Sequence, residues 1–478
     1  MASTVVNYVH SELNETVVDS IVSLDSLASI QEALAIARSD GKPVAIAGGR
    51  HAMGGQQFVS GGVLLDTRAL DEVLAFDAER GVIEVEAGIQ WPGLIDYLAT
   101  TQAGREPQWG IAQKQTGADR LSIGGSIAAN VHGRGLAMKP LIADLESFVL
   151  VNADSEVLTC SRSENSDLFR LAAGGYGLFG CIHSATLRLL PRQTLERVVE
   201  VRLLDELMPA VDERIRDGFL YGDFQFAIDG ESDDFLRRGV FSCYRPIQRE
   251  GPLPAGQRAL SREDWQGLIY LAHTDKSRAF EIYSTHYLAT SGQIYYSDAH
   301  QFADYADGYH AALDEQLGSK DGATEMITEI YVPRDRLVDF LGAVADDFRA
   351  NRVNLIYGTI RLIERDDESF LAWATDRWAC IIFNLCTVHT AAGLDHSADA
   401  FRRLIDLAIE RGGSYYLTYH RWATRAQVET CYPQFDEFLR LKREHDPEER
   451  FQSDWYRHYR ARFEGAEPSA AWPALAGG

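Results

Sequence analysis

Cysteine is scarce and scattered: Cys160, Cys181, Cys243, Cys380, Cys386 and Cys431 occur with no Cys-x-x-Cys pair and no Cys/His metal spacing. A disulfide scaffold and a zinc module are thereby excluded, no metal is expected, and the thiols point to a reducing compartment. Long apolar runs are missing as well, so no membrane insertion is expected. Residues 1–14 lack the basic flank and apolar stretch of a signal peptide, which makes cytoplasmic the default expectation. Positive charge is in deficit: 46 Lys and Arg against 70 Asp and Glu leave a formal net charge of −24. Nucleic acid and anionic lipid surfaces would be repelled, so no nucleic acid is expected as a partner and a small molecule is favoured. A nicotinamide-binding motif is not evident either. Gly175-x-Gly177-x-x-Gly180 has the dinucleotide spacing, but it follows a predicted helix and precedes a predicted strand, the reverse of what that motif needs.

What is present begins with glycine. Gly48-Gly49-Arg50-His51-Ala52-Met53-Gly54-Gly55 lies between two short apolar runs, 43–47 and 62–66, that read as strands. Such a loop turns sharply and brings its N–H groups close to a phosphate, while presenting one imidazole. The same residues could also be no more than a glycine-rich turn. A second small-residue stretch runs from Ser122-Ile123-Gly124-Gly125 through Ala129-Asn130-Val131-His132 to Gly135. Read as extended, it points Asn130 and His132 to one side, toward a ligand or into a tight packing contact.

The length of 478 residues favours two domains. Leu27, Ile30, Leu34 and Ala37 fall at helical spacing, with Gly41 as the stop. Residues 82–86 alternate as a strand, Trp91-Pro92-Gly93 opens a helix, and 145–151 with 156–160 read as a hairpin about Ala153-Asp154-Ser155. A helix from Ser166 and a strand over 180–189 follow. Past Pro191 the glycine loops vanish and aromatic residues such as Tyr283, Tyr287, Tyr295 and Tyr296 become frequent, which marks a second domain. There, 326–332, 355–362, 380–387 and 414–418 read as strands, and helices are predicted through Leu337–Phe348 spacing and around 397–410. This is an α+β layer, a largely antiparallel sheet with helices on one side. Phe435, Phe438, Leu439 and Lys442 form a last amphipathic helix before Asp446-Pro447, and the small residues and prolines after 465 read as a disordered tail.

With these stretches in view, the chain resembles the flavin-dependent oxidases of the vanillyl-alcohol oxidase type. The loop 48–55, the stretch 122–135, the segment 174–187 and the closing Asp446-Pro447-Glu448-Glu449-Arg450-Phe451 occur in that family's order. Thr328-Glu329-Ile330-Tyr331 and Tyr357-Gly358-Thr359-Ile360-Arg361 look like substrate-domain strands of alditol and aldonolactone oxidases, and 417–450 is similar to the end of decaprenylphosphoryl-ribose oxidase. The resemblance implies a PCMH-type FAD-binding domain over 1–193, a substrate domain over 194–423 with an antiparallel sheet, and a segment 424–464 returning to the FAD domain before the tail 465–478. It implies that residues 48–55 hold the FAD pyrophosphate, that Gly117, residues 122–125 and residues 129–132 line the rest of the cofactor, and that Ile182 lies near the flavin. By the same resemblance His51 would bond covalently to the flavin 8α-methyl group. A second link through cysteine is not expected, since 104–119 contains none.

The implied reaction is oxidation of a CH–OH group of a sugar-like or other small alcohol by hydride transfer to flavin N5, with O2 or another acceptor reoxidising the cofactor. His420 is the candidate base, in place of a lysine of the decaprenylphosphoryl-ribose oxidases, or else a histidine beyond a strand end. Arg361 matches the arginine that faces substrate in alditol oxidases, although Thr359 stands where they carry glutamate. Glu329 could supply that carboxylate or be a solvated strand residue, and His132 could touch flavin or substrate. Asn384 and His389 are weaker candidates for substrate contact. The alternatives are a flavin reductase of the sugar-nucleotide type fed by NADPH, and a flavin-binding protein without turnover.

Overall fold

A computed structural model describes residues 3–249, 251–302 and 308–465. The tail expected over 465–478 therefore lies, apart from Gly465, outside the described residues. The N-terminal part opens on a parallel three-stranded sheet of Ser20–Ser23 (β1), Val44–Ala47 (β2) and Val63–Asp66 (β3), in the order β1-β3-β2. The helix Leu27–Ser39 is capped by Ser26, and its buried Ile30, Ala33, Leu34 and Ala37 cover the sheet. An antiparallel five-stranded sheet adjoins it, built from Val73–Asp77 (β4), Val82–Glu86 (β5), Leu145–Val151 (β6), Val157–Ser161 (β7) and Cys181–Arg188 (β8) in the order β7-β6-β8-β5-β4.

Eight further strands form one antiparallel sheet. They are Thr194–Leu203 (β9), Tyr221–Phe226 (β10), Arg238–Pro246 (β11), Ile294–Tyr296 (β12), Ala323–Pro333 (β13), Leu355–Ile363 (β14), Trp378–Val388 (β15) and Ser414–Tyr415 (β16). Their order is β12-β9-β11-β10-β14-β15-β13-β16. Period-two alternation separates the two faces. Met326, Ile330 and Val332 turn toward the helices Leu337–Asn351 and Ala391–Ile409, whose Phe340, Val344, Phe401 and Leu404 share their core. Glu325, Ile327 and Glu329 point the other way, toward the N-terminal part and the helices Arg262–Thr274 and Lys276–Leu288. Helices thus lie on both faces, not on one as expected, and on the side of Glu325 and Glu329 a ligand-sized space is left between them and the sheet.

The chain then returns. Asp446 accepts hydrogen bonds from the backbone N–H groups of Arg450 and Phe451, both at 2.9 Å, and from buried Lys442 Nζ at 2.6 Å. That three-way anchor turns the backbone so that Val44 N–H reaches the Arg450 carbonyl at 2.7 Å and Phe451 inserts beside Leu34. The Asp-Pro-x-x-x-Phe stretch is thus the clip that joins the end of the chain to β2.

Three further sequence expectations are corrected. Residues 123–129 are not extended but form the helix Ile123–Ala129, ended by Asn130 in the left-handed conformation at φ 47°. Asn130 and His132 consequently diverge. The helix Phe435–His445 is not the last, because Asp454–Glu464 follows it with Trp455, Tyr456 and Tyr459 buried. The strand expected over 414–418 stops at Tyr415. None of the six cysteines is paired, and among the described residues no helix is long and apolar enough to cross a membrane.

Candidate active site

Two glycine-rich backbones meet at the centre of the N-terminal part. A Cβ on Gly48 would sit 2.0 Å from Ser122 Oγ, and one on Gly49 would sit 2.1 Å from the Arg120 carbonyl oxygen. Only residues without side chains allow this approach. The loop is held from three sides. Arg50, at φ 59°, reaches Asp66 at 3.3 Å, Gly54 N–H donates to the Thr418 carbonyl at 3.1 Å, and Val9 N–H donates to the Arg50 carbonyl at 3.1 Å.

These backbones form one end of a cavity of about 560 Å³ that runs on to the inner face of the eight-stranded sheet. Of the residues expected at a cofactor, Gly48, Gly49, Arg50, His51, Ala52, Met53, Gly117, Ser122, Gly124, Gly125, Ala129, Val131 and Ile182 line it. Gly54, Gly55, Ile123, Asn130 and His132 do not. Ile123 is turned into the hydrophobic core, and Asn130 is spent on structure, donating to Asp366 at 2.9 Å and accepting from Ile142 N–H at 2.9 Å. Gly177 and Gly180 do line the cavity, although their order relative to helix and strand remains that of no dinucleotide motif.

The lining suits FAD. Small residues and bare backbone bound one end, and the space is faced by residues with buried polar atoms that have no partner, namely Arg50 Nε, Gln115 Oε1 and Thr116 Oγ1. Buried polar atoms of this kind are normally satisfied, here by a polar ligand. His51 Nδ1 lies 3.1 Å from Nε2 of His10, which no local motif marks in the sequence. Burial first, then the nearby His51 and His310, push His10 down to about 3, so it stays neutral near pH 7.

At the sheet end, register sets the geometry. Glu329 pairs with Ile382 across β13 and β15, Ile382 with Thr359 across β15 and β14, and Arg361 with Cys380. Arg361, 6% exposed, donates from NH2 to the Thr116 carbonyl at 3.3 Å and lines the cavity with Nε and NH1 unpartnered. Glu329 and His132 are fully buried, 2.5 Å apart from Oε1 to Nε2, and lie behind the lining rather than in it. His132 Nδ1 faces the Gly133 carbonyl at 3.0 Å. Both ring nitrogens of His132 therefore face oxygen atoms, the Gly133 carbonyl and the Glu329 carboxylate. The other Glu329 oxygen is 3.4 Å from Tyr419 Oη, which in turn accepts from Gln115 Nε2 at 3.3 Å. Tyr419 lines the cavity and links it to the buried pair. Cys380 Sγ lies within 4.8 Å of the His132 and Glu329 ligand atoms, and burial, reinforced by Glu329, holds its thiol well above the usual range.

His420 is not at the cavity. Its ring stacks on Phe401 at 4.6 Å and 3°, with Trp422 and Tyr415 beyond. Nδ1 accepts from Trp422 N–H at 3.4 Å, which leaves Nε2 to donate to Thr328 Oγ1 at 3.1 Å. With both nitrogens engaged and burial pushing it down to about 3, it has no lone pair to offer a substrate. Its neighbour Tyr419 takes the inward position. Asn384 lines the cavity, whereas His389 binds Thr324 Oγ1 at 2.8 Å outside it.

Comparison with known proteins agrees with this arrangement. Residues 18–161 match the FAD binding domain family. Over 440 residues, 92% of this chain and 95% of the relative, the protein is 27% identical to L-gulono-1,4-lactone dehydrogenase of Mycobacterium tuberculosis. It is 29% identical over 192 residues, 40% of this chain and 42% of the relative, to L-gulonolactone oxidase of Mus musculus. Decaprenylphosphoryl-beta-D-ribose oxidase of Mycolicibacterium smegmatis is 21% identical over 467 residues, 92% of this chain and 94% of the relative.

Proposed function

Because this chain is an FAD-dependent oxidoreductase built on an FAD-binding domain, we propose that it oxidises a CH–OH group of a small sugar-like alcohol, with the flavin attached through His51. The observation that carries the reading is the joint presence, on one cavity wall, of Arg361 with two unpartnered guanidinium nitrogens and of Tyr419 backed by Glu329 and His132. The chemistry supplied by bound FAD is acceptance of a hydride, with the electron pair passed on to O2 or another acceptor.

This chain's residues handle the substrate and the proton. Arg361 places a buried positive charge where the alcohol oxygen gains negative character as its proton leaves. That proton moves to Tyr419 Oη while the phenol proton passes to Glu329, so it ends on the Glu329–His132 pair. Burial and the Glu329 charge hold Tyr419 well above its ordinary range, so the phenol stays protonated until it can pass its proton on. His10 fixes the His51 ring, and because burial keeps His10 neutral it adds no positive charge beside the imidazole that would hold the flavin. L-Gulono-1,4-lactone, the compound in a relative's name, is the first substrate to try.

The test is anaerobic. The purified protein is mixed with L-gulono-1,4-lactone while flavin absorbance is followed, then denatured in acid and run on a gel. Bleaching on mixing, with fluorescence on the band that vanishes in His51→Ala, is expected. Flavin released into the supernatant would refute the link but not the oxidation, and a flavin that no sugar-like alcohol bleaches would refute the oxidation.

A further inference from the structure

The wall of the same cavity also carries residues of β9 and β10, a chamber that the reaction as described does not use. Arg134 and Arg197 both line it, with Asp223 and His300. Arg134 pairs with Asp223 at 3.4 Å. Arg197 has no ion pair among the described residues: NH1 donates to Thr290 Oγ1 at 3.2 Å, its guanidinium faces the Tyr244 and Tyr287 rings at 5.2 and 4.8 Å, and buried Nε has no partner. Arg134 stands over the same Tyr244 ring at 5.9 Å. His300, ring to ring with Tyr221 and Tyr244 at 4.4 and 4.5 Å, adds no counter-charge, because burial and the two arginines drive its pKa well down. The other carboxylate on the cavity wall, Glu325, is engaged by His273 at 3.3 Å, His310 at 3.2 Å and Tyr309.

Two guanidinium groups and one carboxylate leave the chamber one positive charge in excess, within a protein of net charge −24. A buried charge without a partner is costly, and a ligand that supplies one removes the cost. Tyr rings soften that cost but present no anionic oxygen. Arg361 is spoken for by the reacting oxygen, so the match required is a monoanion. We infer that the Arg134–Arg197 chamber binds a carboxylate at the far end of the substrate, making the preferred substrate an open-chain sugar acid rather than a neutral lactone or polyol. The inference rests on the reading of this cavity as the site of CH–OH oxidation. A guanidinium with unsatisfied N–H groups suits a planar carboxylate. A phosphate dianion would overshoot the excess.

The holoenzyme tests it by perturbation of flavin absorbance. Affinities are compared for L-gulonate against L-gulono-1,4-lactone and D-gluconate against D-glucono-1,5-lactone, with glucose 6-phosphate as a third arm. The acids are expected to bind at least about tenfold tighter than their lactones, with affinity falling several-fold from about 20 to about 300 mM NaCl. In Arg197→Gln the acid-to-lactone preference should fall about tenfold, and Arg197→Lys should restore part of it. Lactones binding as tightly as acids, equal weakening of both by Arg197→Gln, or tighter binding of the phosphate would each overturn the carboxylate assignment. If the lactone bleaches the flavin while the acids show no preference, only the chamber fails. If neither kind bleaches it, the oxidation reading fails as well.

Discussion

The two ends of the cavity are made of different material. One end is backbone: Gly48, Gly49, Gly117, Gly124 and Gly125, where a Cβ on Gly48 would fall 2.0 Å from Ser122 Oγ. The other is long side chains on separate strands, with Arg361 from β14, Asp223 from β10, Arg197 from β9 and Glu329 behind them from β13. A backbone cradle cannot be altered without moving the chain, and it treats its ligand by shape. A side-chain wall can be changed one residue at a time with the frame intact. The comparison teaches that the first end fixes which cofactor is held, whereas the second is where substrate choice can drift among relatives.

The comparison would break first at the buried pair. Glu329→Gln leaves the shape and removes the charge that receives the proton, so flavin reduction should slow about 10²- to 10⁴-fold. Weakening the buried Glu329–His132 hydrogen bond should also cost about 1–3 kcal/mol of stability. Stopped-flow reduction and urea unfolding read the two effects separately, and an unchanged reduction rate would move the base elsewhere. Gly49→Val at the backbone end should cost about 1–3 kcal/mol through overpacking against the Arg120 carbonyl and lower flavin content. Flavin-to-protein ratio and melting temperature check it; full occupancy would show that the loop yields.

Acid provides a smaller, graded effect. His10, His420 and His458 are each held at about 3 in the folded state, chiefly by burial, against an ordinary 6.5. The unfolded chain therefore takes up protons that the folded chain refuses. Stability contributed by these groups is complete above pH 6.5 and falls as pH drops toward 3, by up to about 1.4 kcal/mol per pH unit for each. His420→Phe, which keeps the ring stack on Phe401, should make the slope between pH 6 and 4 shallower by one such increment while flavin reduction by substrate persists. Unchanged slope, or lost reduction, would contradict the placement of His420 behind the cavity. The smallest expected effect is His10→Ala, which frees the His51 ring and should lower the covalently bound flavin fraction by a measurable minority on acid-denaturing gels.

How much could be read from the sequence follows the same division. The loop 48–55 announces itself because a backbone cradle is contiguous, and the same holds for β2, β3 and the helix Leu27–Ser39, whose apolar spacing is local. Arg197 and Asp223 carry no local signal, since their meaning comes from β9 and β10 being brought beside β14 by strand order. His10 is likewise known only by its distance to His51. The expectation that His420 faces the substrate fails for a definite reason. β16 ends at Tyr415, and beyond a strand's end alternation no longer says which side chain faces inward. Asn130 misled similarly, because a left-handed helix cap turns the chain where an extended reading carries it straight on.

The clasp on the loop 48–55 also bears on biosynthesis. That loop is closed from outside its own neighbourhood: by Val9 and Asn14 from the start of the chain, and by the carbonyls of Leu417 and Thr418, which receive Gly54 N–H and Gln56 Nε2. Residues 8–14 are in turn tied to β13, where Ser11 donates to the Glu325 carbonyl. A ribosome that has released the first 200 residues has delivered every glycine of the cradle but neither the latch at 417–418 nor the strand that anchors Ser11. The cofactor pocket is therefore completed only after every strand of the eight-stranded sheet has been delivered, and a product that stops short of residue 417 lacks the latch on the loop.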